Sequence, residues 1–241
     1  MGQQLKALLG YQTVPNDSWD YNDCSPIVIA ELPIGGRPRR VLLHAPKNGF
    51  FYTLDARTGA LLGADKIAEV SWASGIDQKT GRPVEIPAAR YYATTEKRAL
   101  VNPGPVGAHN WHAMSYDDAT GLIYIPITDV AVRYSMLEQS GLLGGDTVTD
   151  YYAGLSDPKV QHKMGRLLAW DPTARKARWK VNLELGTNGG VLSTAGNLVF
   201  QGTGTGEFVA YNAKTGQKLW SLRTGSAIQG ARAPLRSTAS S

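Results

Sequence analysis

Short apolar runs, each closed by the same small turn, constrain this sequence more than anything else in it. Phe50-Phe51-Tyr52-Thr53-Leu54 ends in Asp55-Ala56-Arg57-Thr58-Gly59. The pattern returns at Asp117-Asp118-Ala119-Thr120-Gly121, at Asp171-Pro172-Thr173 and at Asn212-Ala213-Lys214-Thr215-Gly216. In such a turn the Asp or Asn side chain bonds nearby backbone amides and the Gly takes a positive φ. The third copy is degenerate, and its Gly position is read as Ala174. The Asp/Asn positions lie 62, 54 and 41 residues apart. Hairpin repeats of that size predict propeller blades, about four of them, and the fold class expected is all-β.

A blade buries both faces against its neighbours. Trp179 and Trp220, a few residues beyond the third and fourth turns, are therefore expected to fill the gaps between blades. Burial of each ring is worth roughly 2–4 kcal/mol by area. Strands are also predicted at Ile27-Val28-Ile29-Ala30 and Val41-Leu42-Leu43, joined through Gly35-Gly36. The stretch from Val130 to Met164 breaks the pattern and reads as a long excursion with one helical turn near Tyr134 to Glu138.

Composition narrows the function classes. A chain of 241 residues, 42% hydrophobic and 19% charged, is globular and holds one large all-β domain or two small ones. The net charge of +5 is mild, and the densest basic cluster, Arg37-Pro38-Arg39-Arg40, sits beside Gly35-Gly36 as a solvated hairpin tip, so no nucleic-acid partner is expected. Cys24 is the only cysteine, which excludes an internal disulfide. No apolar stretch reaches 18 residues, so no membrane span is expected, and Met1 to Gly10 lacks the form of a secretory signal.

Two side chains carry the chemistry. Asp20 lies in Asn16-Asp17-Ser18-Trp19-Asp20-Tyr21-Asn22, and Lys47 follows 27 residues later in Ala45-Pro46-Lys47-Asn48-Gly49. Both stand beside turn-forming residues and are expected at strand ends. A carboxylate and an ammonium brought together can abstract a proton and stabilise a developing oxyanion. Taken singly, each has the ordinary reading of a solvated surface charge. His109 and His112 have the spacing of half a metal site but lack a third ligand nearby, and read as structural or surface histidines. Gly202-Thr203-Gly204-Thr205-Gly206 is followed by strand rather than helix, which makes it a hairpin turn and not a phosphate loop.

Six motifs in series extend this reading. Trp19-Asp20-Tyr21, Ala45 to Tyr52, Trp72 to Asp77, Lys79-Thr80-Gly81-Arg82-Pro83, Ala108 to Met114 and Asn188 to Gly202 resemble the quinoprotein alcohol dehydrogenases, in order, from about Leu5 to Gly230. The resemblance implies part of an eight-bladed propeller of four-stranded antiparallel sheets with tryptophan-docking repeats. It also implies periplasmic, pyrroloquinoline-quinone-dependent oxidation of primary alcohols to aldehydes, with a cytochrome c or similar electron acceptor. Residue by residue, it makes Asp20 the general base and a metal ligand, and Lys47 the cation that bonds the quinone oxygens. Asn110 and Trp111 become the dipeptide beside the cofactor, and Val191 a further cofactor contact. Asn22 stands where lanthanide-using relatives carry an extra Asp, which favours Ca2+.

The departures set further expectations. The family's earlier half, which supplies its remaining metal ligands and a stacking Trp, has no counterpart here. Thr187 replaces the usual Trp before Asn188-Gly189-Gly190, and the polar, basic ending at 231–241 follows a propeller domain spanning 1–230. The chain is accordingly expected to be inactive alone and to need the missing half or a homo-oligomer. The alternative is a non-catalytic propeller scaffold that keeps the repeats without the activity.

Overall fold

The computed structural model describes residues 10–136, 147–150 and 164–230. Four strands, β1 (Ile27–Ile34), β2 (Arg37–His44), β3 (Phe50–Asp55) and β4 (Leu61–Lys66), form the first antiparallel sheet in chain order. A hairpin follows, β5 (Ala73–Ile76) with β6 (Pro83–Glu85), and then β7 (Arg98–Val101). The second four-stranded sheet takes β8 (Ser115–Asp117) and β9 (Leu122–Thr128). The chain then leaves it for β10 (Val132–Met136) and β11 (Thr147–Asp150), which pair with β7 in the order β11-β10-β7. It returns as β12 (Gly165–Asp171) and β13 (Lys176–Leu183), giving the order β13-β12-β9-β8. The third sheet is β14 (Val191–Thr194), β15 (Leu198–Gly202), β16 (Glu207–Asn212) and β17 (Lys218–Arg223).

The apolar runs look continuous because both faces of each central strand are buried, and the period of two divides them. On β3, Phe50 and Tyr52 join an aromatic cluster with Trp19, Tyr21 and Trp72, while Phe51 turns to the opposite face. On β9, Ile123, Ile125 and Ile127 pack with Phe51 and Leu43 of the first sheet. The alternate residues Leu122 and Tyr124 pack with Val199, Val209 and Tyr211 of the third. The sheets are thus stacked blade against blade.

The recurring turn is built as its residues predict. Asp55 Oδ1 accepts the amides of Arg57 at 3.0 Å and Thr58 at 2.9 Å, and Gly59 closes the turn at φ 70°. Asn212 does the same for Lys214 at 2.9 Å and Thr215 at 3.2 Å. Just before the Asx residue, the pairing slips by one residue in all three sheets, at Leu54, Trp170 and Tyr211. Each blade therefore repeats a bulge as well as a turn.

Several expectations change. In the degenerate third turn the left-handed position belongs to Arg175, at φ 54°, and not to Ala174. The Asp117 and Asp171 turns lie in one sheet, so the four turns fall in three sheets among the described residues. A fifth turn of the same design, Asp77 to Gly81, closes the β5–β6 hairpin; Asp77 Oδ1 accepts the amides of Lys79 and Thr80. Tyr134 lies on strand β10 where a helical turn was expected, because its backbone pairs with Ala99 of β7. The segment 231–241 and Leu5 to Leu9 lie outside the described residues.

The two docking tryptophans differ. Trp179 closes the seam between the second and third blades: its indole N–H donates to the Ala213 carbonyl at 2.9 Å and its ring covers Gly216. Trp220 is 50% exposed and contacts Phe208 of its own sheet. The equivalent position on the first blade is Gly63, and there Arg175 fills the space and forks onto Asp65 at 2.8 and 2.9 Å. The first seam is thus closed by an ion pair where the second uses an indole.

Gly216 and Gly121 separate backbone strain from packing. Both have positive φ, but a Cβ on Gly216 would meet the Trp179 ring at 2.6 Å, whereas Gly121 faces open space. In denaturant titrations Gly121→Ala should cost about 1 kcal/mol. Gly216→Ala should cost about 2–4 kcal/mol.

Candidate active site

Asp20 is aimed by its neighbours. Trp19 and Tyr21 are both buried, at 0% and 2% exposure, so the residue between them faces outward, and the Asp20 carboxylate is 66% exposed. Trp19 is fixed by its indole N–H on the Ala89 carbonyl at 2.9 Å and by Trp72 at 5.1 Å between ring centroids; the Arg90 guanidinium lies over its ring. The Tyr21 hydroxyl donates to the Pro103 carbonyl at 2.5 Å. Asp17 ties the loop internally, accepting the Trp19 amide at 2.9 Å and the Tyr21 amide at 2.7 Å. That closed loop forces Asp20 to φ 64°, an unfavourable conformation for a non-glycine residue and of the kind found at functional sites.

Lys47, in the loop joining β2 to β3, is brought to the same place. Its ammonium is nearly buried and donates to the Asp20 carbonyl at 2.9 Å and to Asn22 Oδ1 at 2.5 Å, with the Asp20 carboxylate at 3.5 Å. A buried ammonium requires such oxygens. Its stem is held by Gly107, where a Cβ would meet Lys47 Cβ and Cγ at 2.5 Å, and the Ala108 amide caps the Lys47 carbonyl at 2.9 Å.

The other predicted residues are linked in series to this pair. Asn110 accepts from the Cys24 thiol at 2.8 Å, which connects it to the Asp20 segment, and its amide group donates to the Val106 carbonyl at 2.9 Å. Trp111 is half exposed and stacks on His112 at 4.1 Å. Val191 is tied to the following loop by its amide, which donates to the Ala113 carbonyl at 2.9 Å, but its side chain is 2% exposed in the seam between the second and third blades.

Sequence reasoning missed the supports beneath these groups. Asp23 Oδ2 and His44 Nε2 lie 2.5 Å apart. Burial opposes ionisation of Asp23, but bonds from His44 and from the Ser25 amide outweigh it and leave its pKa below the usual carboxylate value. His109 is buried, with Nδ1 at 2.6 Å from the Ala45 carbonyl and Nε2 at 2.9 Å from the His112 carbonyl. With both nitrogens beside carbonyls, His109 is structural, and among the described residues no three His, Cys, Asp or Glu side chains gather as a metal site.

Known proteins resemble this chain over most of its length. Residues 7–70 match the family model described as the glucose/ethanol/alcohol dehydrogenase β-propeller domain, and residues 163–238 match one described as the outer membrane protein assembly factor BamB. The quinohemoprotein alcohol dehydrogenase ADH IIB of Pseudomonas putida is 47% identical over 90% of this chain and 31% of its own length. The crystal structure of the Comamonas testosteroni quinohemoprotein alcohol dehydrogenase superposes with a TM-score of 0.80 at 43% identity, over 92% of this chain and 34% of that one. A europium-containing methanol dehydrogenase superposes at 0.81 with 30% identity, over 92% and 38%. The chain thus spans about a third of the length of the curated relatives it matches. No helix among the described residues is long and apolar enough to cross a membrane.

His109 makes stability depend on pH. Burial holds its pKa down at about 4 despite the two carbonyls that pull it up. The unfolded chain therefore takes up a proton near pH 6.5 that the folded chain refuses, so stability is full above that pH and falls as the solution is acidified toward 4. Urea unfolding free energy should drop by about 2 kcal/mol between pH 7 and pH 5. His109→Gln should flatten that slope.

Proposed function

We propose that this chain, a member of the quinoprotein alcohol dehydrogenase family, carries the proton-abstracting and quinone-facing part of an active site that oxidises primary alcohols to aldehydes. The observation that carries the reading is the Asp20–Lys47 pair. A nearly buried ammonium is spent on the backbone and amide oxygens of a loop that leaves its carboxylate in the open. Docking repeats do not require such a pair, which is what separates this reading from a propeller scaffold without activity.

The residues suit the groups the family uses. The exposed Asp20 carboxylate offers hard oxygen donors, the chemistry a calcium ion prefers, with further ligands to come from outside the described residues. Asn22, where lanthanide users are expected to carry an Asp, favours Ca2+, with the europium relative as the comparison to test against. Pyrroloquinoline quinone, when bound, supplies the two-electron acceptor, and the cation polarises it. Asp20 takes the hydroxyl proton of the alcohol at its exposed carboxylate oxygens. Lys47 presents a fixed positive charge, pre-oriented by Gly107, to the quinone oxygens. Asn110 and Trp111 would border the cofactor, with the half-exposed indole offering a flat apolar surface. Val191 acts by setting the start of β14 against Ala113, since its side chain is enclosed. A periplasmic location and a cytochrome-type electron acceptor accompany this reading.

Asp20→Asn in the assembled full ring tests it. Quinone-dependent alcohol oxidation should be lost while the circular dichroism spectrum is kept; unchanged turnover would remove Asp20 from the chemistry. Titrating the quinone with Ca2+ against the chain by itself should give weak binding at most, because the chain supplies a third of the relatives' length.

A further inference from the structure

We propose that the Asp23–His44 pair is a positioning device that clamps the Asp20–Cys24 segment onto the end of β2, so that Asp20 and Asn22 stay in register with Lys47. The inference rests on the Asp20–Lys47 reading above and assigns to two residues outside that pair the task of holding it.

Beyond the buried Tyr21, whose hydroxyl bonds the Pro103 carbonyl, three polar side-chain ties join the segment to the rest of the chain. Lys47 holds its start through the Asp20 carbonyl and Asn22, and Asn110 holds its end through the Cys24 thiol. Between them, His44 Nε2 meets Asp23 Oδ2 at 2.5 Å while Nδ1 faces the Pro26 carbonyl at 3.3 Å. With His44 Nε2–H donated to the Asp23 carboxylate, the pair is a charge-assisted bond, about twice the strength of a neutral one. It is also sheltered, since the His44 side chain is 10% exposed. His44 stands on the same strand end as Lys47, three residues before it, with His109 bonded to the intervening Ala45 carbonyl. One strand end thus grips the segment from two points, by an imidazole and by an ammonium.

Cys24 reports on the clamp directly. It is the only cysteine and is exposed, one residue from Asp23. Modification of its thiol by a disulfide reagent should be about tenfold faster in His44→Ala, the scale of losing one charge-assisted bond. Asp23→Ala, which removes the other end of the clamp, should match it. His44→Gln, whose amide can still donate to Asp23, should return most of the wild-type rate. Wild-type rates in both alanine variants would overturn the proposal. So would a glutamine variant as fast as the alanine one, which would make His44 a space-filling residue. In the assembled ring, His44→Ala should weaken quinone binding by a similar factor, again with rescue by Gln. If the wild-type ring fails to bind quinone, the Asp20–Lys47 reading fails while the thiol rates still decide the clamp.

Discussion

The first two four-stranded sheets bury apolar side chains on both faces, and that constraint governs the rest. A sheet with two apolar faces cannot stand in water on one layer, so each must be covered from both sides. Strands β3, β9 and β12 meet the demand by alternation, giving successive residues to opposite neighbours. Turns and bulges repeat because each blade must return its outer strand at the same angle. The seams tolerate more variety, since any group that excludes water and satisfies its polar atoms will close them. Trp179 does so over Gly216, and the Arg175 fork on Asp65 does so over Gly63.

The Asp20–Lys47 pair lies on the free face of the first blade. The cover of that face is an aromatic layer, Trp19, Tyr21 and Trp72 over Phe50 and Tyr52, supplied by a loop and not by another blade. A loop that buries two aromatics one residue apart must turn the residue between them outward. Asp20 is therefore exposed by the same packing that holds its backbone in a strained state. Lys47 is drawn in as its counterpart because an ammonium at that depth must find oxygens, and the loop provides them.

Much of this was legible in the residues. The Asx-Thr-Gly turns marked the blades, and Trp19-Asp20-Tyr21 with Ala45-Pro46-Lys47-Asn48-Gly49 marked the site, because turn chemistry and short motifs are local. What escaped was decided by distant partners. Tyr134 reads as helical or looped until β7 is placed beside it. The Asp77 turn was passed over because its hairpin lies outside the blades. Arg175 at a left-handed position reads as a defect until Asp65 is seen across the seam. Asp23 and His44 are 21 residues apart, and nothing in the spacing announces their bond.

The sequence by itself determined the all-β class and the repeating turns, and singled out Asp20 and Lys47 as the candidate pair, since these depend on side-chain type and neighbours within a few residues. Only the tertiary structure decided which tryptophan docks and which stays exposed, which ion pair closes a seam, and which residues hold Asp20 against Lys47. Those outcomes depend on surfaces that meet across the fold, where burial sets the energy of each charge and ring, and burial belongs to the packed chain, not to any one stretch of it.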